Sequence, residues 1–448
     1  MDDLPHSERP ADGPVAFLGL PSGVGLVMAT MIGAGVFLSA GFMAQELNPR
    51  WIMTAWVVGA VLALAGARTY AEASILIPRS GGEYRYLSDL VHPVAGYLAG
   101  WASLLMGFAA PAAISAYGAA AFILAMLGVT DVDVRAVATI LLVVLVVVHA
   151  ARLGVSKWTQ NALVSMSVLA ILSFILAGWV LGSHSWPSWS APASTGRFEA
   201  LPFATSLFYV AYAFTGWNAA AYAADEFRTP RRDVPLAMMI GCAVVGVLYL
   251  MTNWVFVANL TPEQAAAVFE YEQTRVTLGH LVAEQLLGAH GSQWMSAVVA
   301  LAMLSSVSAM LLVGPRVYAV MATDGFLPSV LRGTQGSPPR ASVVVQGLIS
   351  LALLHAHSVG ELLTNVAGVL IVFSSLVALG LFLASRRRPD LPRPRRTALA
   401  AALLYVVSSG WMLYNAFKAR TGLLSWLLLI GVAGLGAYLW TVRRRRQR

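Results

Sequence analysis

Long apolar stretches recur along this chain too often to be packed into one soluble core. A helix that crosses a bilayer needs about 20 apolar residues. By that measure there are twelve candidate spans, at 17–45, 51–77, 93–127, 134–151, 160–182, 200–224, 235–258, 293–321, 341–356, 361–384, 398–417 and 422–441. The ninth is short, and the third and eighth are long. Charged residues make up only 11% of the sequence, about half of what a soluble domain carries. Much of the surface must therefore face hydrocarbon, and the fold class is an all-α integral membrane protein. Residues 1–16 are polar and lead straight into a full-length span, which does not fit a cleavable signal peptide. Cys242 is the single cysteine, which excludes an intramolecular disulfide and any multi-cysteine metal site.

Arg and Lys set the sidedness. Placing both termini and the even-numbered loops on one side collects Arg9, Arg79, Arg85, Arg152, Lys157, Arg228, Arg231, Arg232, Arg316, Arg332 and Arg340 there. The basic runs at 386–388, 393–396 and 443–446 join them, while the other side receives only Arg50, Arg135, Arg197, Arg275, Lys418 and Arg420. Both termini are expected in the cytoplasm, and the localisation is read as a bacterial cytoplasmic (inner) membrane. The net charge of +8 sits at helix ends, as topology requires, so nucleic-acid binding is not expected. The outer segment 259–292 has helical spacing and several carboxylates, and reads as one or two short surface helices over the outer mouth.

Two spans weaken themselves in corresponding places. The first contains IGAGVF at 32–37, and the sixth contains FYVAYAFTGWN at 208–218. Five spans separate them, as an inverted repeat of five plus five demands. Unpaired backbone groups cost several kcal/mol each in lipid, so a broken helix survives only against a cavity or other protein. A matched pair of Gly-interrupted spans is a pointer to a transporter's binding site. Freed N–H groups suit a carboxylate and freed carbonyls suit an ammonium, and a zwitterionic amino acid carries both on one carbon. The alternative is packing, because small residues also let membrane helices approach closely.

The motifs resemble the amino acid–polyamine–organocation (APC) family across almost the whole chain. IGAGVF is similar to that family's first-helix motif. YAEASILIPRSGGEYRYL at 70–87 looks like the second-helix end and following loop. FTGWNAAAYAADEFRTPRRDVP at 214–235 resembles the sixth helix, and GPRVYAVMATDGFLP at 314–328 the end of the eighth, with Thr323 in place of a frequent Arg. The resemblance implies twelve helices, with repeats at 17–182 and 200–384. A cytoplasmic tail at 1–16, a basic loop at 385–397, two further helices within 398–441 and a basic tail at 442–448 complete the chain. It implies alternating-access transport of amino acids. Carried over by position, Met31, Gly33, Ala34 and Gly35 would line the site from the first helix. Tyr212, Ala213, Phe214 and Thr215 would do so from the sixth, with the aromatic at 212 or 214 as a gate; ordinary packing is the alternative for that ring.

Departures from the family pattern narrow the reading. Relatives with a Lys seven residues after a Gln in the fifth helix find their counterpart here in Gln160 and Ser167, and 160–182 holds no Lys or Arg. Ser cannot carry a proton as a buried Lys does. Exchange, a cation site or coupling through another group remain. Asn218 stands where the family's arginine/agmatine exchangers carry Glu, and no acid occurs within 203–223. With no charge near the middle of any core span, a charged substrate side chain would lack a counter-charge. Neutral amino acids are therefore favoured over arginine, glutamate or polyamines. Ser305, Ser306 and Ser308 could hold a sodium ion against the first helix, or merely bond their own helix. Asn218 is the better polar link to substrate or water.

An enzyme is not expected, because no nucleophile–base pair lies at membrane depth, and no metal or cofactor is implied. His355 and His357 point different ways on a helix end. A channel, or a non-transporting sensor, would differ by binding without saturable flux. A proton-coupled permease for cationic amino acids or polyamines is the alternative within transport. Cys242 falls inside the seventh span, so no disulfide-linked heavy chain is expected, and the chain is read as a monomer or homodimer.

Overall fold

The computed structural model describes residues 18–187, 189–191, 196–261, 264, 277–333, 339–419 and 422–446. In chain order the principal helices are α1 (Leu20–Met31), α2 (Ala34–Glu46), α3 (Pro49–Leu76), α4 (Glu83–Leu90), α5 (Pro93–Ala102), α6 (Ala110–Met126), α7 (Val134–Ala151) and α8 (Leu153–Leu181). They continue as α9 (Ala200–Ala213), α10 (Ala219–Tyr222), α11 (Pro230–Ala258), α12 (Leu278–Leu287), α13 (Gly291–Thr323), α14 (Arg340–Ala356), α15 (Val359–Arg387), α16 (Arg396–Ala419) and α17 (Gly422–Arg446). Among the described residues, ten helical segments are long and apolar enough to cross a membrane. The stretches expected as the sixth and ninth spans contain shorter apolar helices, Ala200–Ala213 and Arg340–Ala356.

Local chemistry sets the boundaries. Pro at the first turn starts α3, α5 and α11, where its missing N–H is one that no helix start needs. Asp133 caps α7 by accepting from the Arg135 N–H at 3.0 Å. Between α5 and α6 the ladder widens into a π turn over Ser103–Ala109. Pro111 explains it, because a proline has no N–H to bond the Gly107 carbonyl four residues back.

Burial sorts the helices into a core and a shell. The segment Leu20–Glu46 is 89% buried over its most apolar window, whereas Gly422–Arg443 is 17% buried. Large apolar side chains such as Ile140, Val147, Leu169 and Val432 stand exposed on α7, α8 and α17, which is the composition a hydrocarbon-facing surface requires. In the core, α11 packs along α3 and α1, and α13 along α6 and α8. Of the outer segment 259–292, residues 278–287 form α12 against α13; 262–263 and 265–276 lie outside the described residues.

The basic end of the bundle is tied by polar contacts. The Leu18 N–H donates to the Glu226 carbonyl at 2.9 Å, and the Arg228 N–H donates to Leu18 at 3.0 Å. Arg316 forks onto both Glu226 oxygens at 2.5 and 2.9 Å. Ser80 and Asp225 exchange two hydrogen bonds, and Asp324 takes Arg85 at 2.9 Å and the Tyr84 hydroxyl at 2.6 Å. Glu72 takes Arg68 at 3.0 Å and the Arg395 N–H at 2.8 Å. These carboxylates outside the spans' centres thus hold loops and helix ends together.

A candidate substrate site between two broken helices

Both glycine-rich segments are broken. α1 ends at Met31, residues 32–33 leave the helix, and α2 starts at Ala34. α9 ends at Ala213, and helical structure resumes at Ala219. The two breaks meet: the Thr30 hydroxyl lies 2.9 Å from the Gly216 carbonyl, with Leu26 and Val27 carbonyls as its alternative acceptors. Gly216 has φ +103°, and a Cβ there would stand 2.8 Å from the Thr30 carbonyl carbon and oxygen. Only glycine fits that crossing. Met31, the last residue of α1, has its carbonyl satisfied from a third helix. The buried Tyr249 of α11 donates its hydroxyl to it at 2.6 Å.

Beside this crossing lies a cavity of about 80 Å³, several times the roughly 10–15 Å³ that one water needs. Thr30 and residues 214–219 line it together with Phe108 of the π turn, Met310 of α13, Leu370 of α15 and Tyr405 of α16. Phe214 is buried at its wall, with ring centroids 5.2 Å from Tyr249 and 6.1 Å from Trp56.

Of the residues singled out from sequence, Phe214, Thr215 and Asn218 line the cavity. Thr215 donates its hydroxyl to the Tyr212 carbonyl at 2.7 Å. Met31, Gly33, Ala34, Gly35, Tyr212 and Ala213 are buried and do not line it. Gly35 meets α9 so closely that a Cβ would stand 2.3 Å from the Ala213 Cα. Past that contact, at the end remote from the basic one, Phe42 stacks on Tyr209 at 5.1 Å and Ser39 donates to the Tyr209 carbonyl at 3.1 Å. Gly33 lies against Ser306, whose hydroxyl is 3.3 Å from that of Ser115 on α6.

The other hydroxyls have partners elsewhere. Ser308 bonds His149 at 2.8 Å, and the same ring reaches Ser156 at 2.6 Å. Ser305 is buried without a partner among the described residues. Ser167 donates to Leu163 of its own helix, 2.7 Å, or to Leu301 of α13, 3.1 Å, and does not line the cavity. Ser167→Ala is therefore expected to change exchange by less than about threefold and stability by about 0.5–1.5 kcal/mol, the worth of one ordinary hydrogen bond. A tenfold loss in a transport assay would contradict that placement. Among the described residues no group of three or more His, Cys, Asp or Glu could hold a metal. His355 turns to Thr139 at 3.0 Å and His357 to the Trp426 ring at 5.5 Å.

One feature corrects the sequence-based expectation that no counter-charge lies near the site. Glu83, 2% exposed, lines the cavity. It comes from α4, outside the spans, which is why a search of span centres misses it. Its Oε1 accepts from the Tyr70 hydroxyl at 2.7 Å and the Asn218 amide at 3.2 Å; its Oε2 accepts from Tyr222 at 3.3 Å and Ser103 at 3.4 Å. Burial pushes this carboxyl above the usual carboxylate range, against the four hydrogen bonds, which lower it.

The sequence model of the amino acid permease family matches residues 18–435. The large neutral amino acids transporter small subunit 2 of Mus musculus is 25% identical over 98% of this chain and 84% of its own length. The b(0,+)-type amino acid transporter 1 of Mus musculus is 25% identical over 88% of this chain and 80% of its own. The cystine/glutamate transporter of Pongo abelii is 26% identical over 95% and 85%. Broken helices around a buried cavity and a family match along nearly the whole sequence agree: the chain belongs to the APC family of amino acid permeases.

Proposed function

We propose that this protein moves neutral amino acids across a bacterial cytoplasmic (inner) membrane by alternating access, as an exchanger, a uniporter or a symporter. The observation that carries the reading is the meeting of the two helix breaks at Thr30 and Gly216 beside a cavity. The substrate carboxylate faces the start of α2, and the ammonium faces the carbonyls at the ends of α1 and α9. Met31, Gly33, Ala34 and Gly35 supply the first half of that frame. Tyr212, Ala213, Phe214 and Thr215 supply the second, with Phe214 as the gate and Asn218 as the polar link below it. Ser167 and Ser306 brace the neighbouring helices.

All twelve apolar segments cross the membrane in this reading, as two inverted repeats of five and a final pair, with the basic end and both termini in the cytoplasm. The single Cys242 is buried in α11, which supports a chain without a disulfide-linked partner, working as a monomer or homodimer.

Relatives named for neutral amino acids and for cystine and glutamate match to a similar degree, so the substrate class rests on the site. Glu83 favours a cationic substrate as the second reading. A carboxylate offers about four lone-pair positions, however, and Tyr70, Asn218, Tyr222 and Ser103 occupy four. No acceptor position is left for a guanidinium.

Ligand-induced thermal stabilisation of the purified protein tests this. A ligand at a hundred times its Kd adds about 2.7 kcal/mol. Leucine or alanine is expected to raise the melting temperature and arginine to leave it unchanged. Stabilisation by arginine alone would reverse the substrate assignment.

A further inference from the structure

Glu83 is placed by a built feature of the chain. Gly81 and Gly82 take φ of +120° and +52°, which turns the backbone between α3 and α4. A Cβ on Gly82 would stand 2.4 Å from the Tyr222 ring, so only glycine lets α4 approach α10 this closely. The turn directs the first residue of α4 into the cavity wall. There the carboxylate collects its four donors from α3 (Tyr70), the π turn (Ser103), the second break (Asn218) and α10 (Tyr222). Among the described residues no Arg, Lys or His forms an ion pair with it. The titratable groups facing it are the phenols of Tyr70, Tyr222 and, from α16, Tyr405; phenols ordinarily titrate near 10. Glu83 is the one carboxyl in this cluster, and burial shifts it upward from the ordinary carboxylate range.

We propose that Glu83 is the proton-binding group of the transport cycle, and that its protonation loosens the cavity wall at the basic end so that substrate and proton pass together. The proposal rests on the amino acid transporter reading. While charged, the carboxylate holds four elements with charge-assisted hydrogen bonds, which are about twice as strong as neutral ones. A neutral carboxyl has an O–H of its own and can no longer accept at every position. The two long contacts, Tyr222 at 3.3 Å and Ser103 at 3.4 Å, share Oε2. Either hydroxyl can turn to accept that proton. Tyr222 and Asn218 belong to the broken sixth helix, so weakening this cluster frees the half of that helix lying toward the basic end. Glu83, Asn218 and Tyr222 all line the cavity, which gives proton and substrate one compartment. Ser167 leaves the fifth helix without a proton carrier; Glu83 supplies one from α4.

The test is labelled leucine uptake into leucine-free proteoliposomes under an acid-outside gradient of one pH unit, for the natural protein, Glu83→Gln and Glu83→Asp. One proton moved per leucine gives about tenfold accumulation. The natural protein and Glu83→Asp are expected to accumulate leucine, and Glu83→Gln to equilibrate it, with a ratio near one. Accumulation by Glu83→Gln overturns the proposal. So does equilibration by the natural protein despite leucine exchange, an outcome that leaves the transporter reading standing. Difference infrared titration of the purified proteins gives a readout independent of flux. The protein has 21 Asp and Glu residues, so the readout is the natural protein minus Glu83→Gln, in which a carboxylic C=O component that grows on acidification is expected. If leucine is not transported at all, the transporter reading fails on leucine and the infrared titration decides on Glu83. Identical C=O changes in the natural protein and Glu83→Gln, leaving no difference component, overturn the proposal.

Discussion

Gly216→Ala is expected to slow amino acid exchange by between about thirtyfold and a few thousandfold. Two costs add. A non-glycine residue at φ +103° leaves its allowed region, at about 1–2 kcal/mol. Its Cβ would then stand 2.8 Å from the Thr30 backbone, and overpacking of that kind costs about 1–3 kcal/mol. Thr30 is not a flexible tip that can swing away, since it is the penultimate residue of α1 and holds the Gly216 carbonyl. The sum of about 2–5 kcal/mol falls on the crossing of the two breaks, and each 1.4 kcal/mol is tenfold. Gly246→Ala on α11 is a matched control, because its nearest neighbours lie 3.7 and 3.8 Å from an added Cβ. Equal exchange rates for the two variants would remove the crossing from the mechanism.

Tyr249→Phe is expected to weaken exchange by about 5–150-fold. The substitution keeps the ring packed against Phe214 and Trp56, at 5.2 and 5.7 Å, and removes only the hydroxyl that serves the Met31 carbonyl at 2.6 Å. A buried acceptor left unpaired costs about 1–3 kcal/mol, and this one terminates the first half of a broken helix. A hydroxyl role thus separates from a packing role. If Tyr249→Phe exchanges as the natural protein does while Tyr249→Leu fails, the ring is what matters and the hydrogen bond is incidental.

Glycine made the two breaks legible. Their positions follow from IGAGVF and FTGWN because glycine in an apolar helix has a local cause. The positive φ of Gly216 and the close approach of Gly35 to Ala213 are that cause. Packing and backbone opening, alternatives in the sequence, coexist: Gly35 serves the contact between α2 and α9, while residues 32–33 carry the break. Phe214, Thr215 and Asn218 were readable because they flank the second break. Tyr249 was not, since it lies in a continuous apolar run and its role depends on which helix α11 packs against. Glu83 was hidden for a different reason. It stands within SGGEY, which hydropathy places in a loop, and only the two left-handed glycines before it reveal that the loop turns inward. Ser167 illustrates the converse, where family position pointed to the site and the side chain instead bonds the backbone of α8 and α13.

Counterflow in proteoliposomes decides whether this protein transports neutral amino acids. Vesicles holding the purified protein are loaded with unlabelled alanine, leucine or arginine, and the labelled amino acid is supplied outside at equal pH on both sides. Saturable, stereospecific uptake of label that requires internal alanine or leucine is expected. Uptake sustained by arginine alone, or binding of label with no accumulation inside, would contradict it.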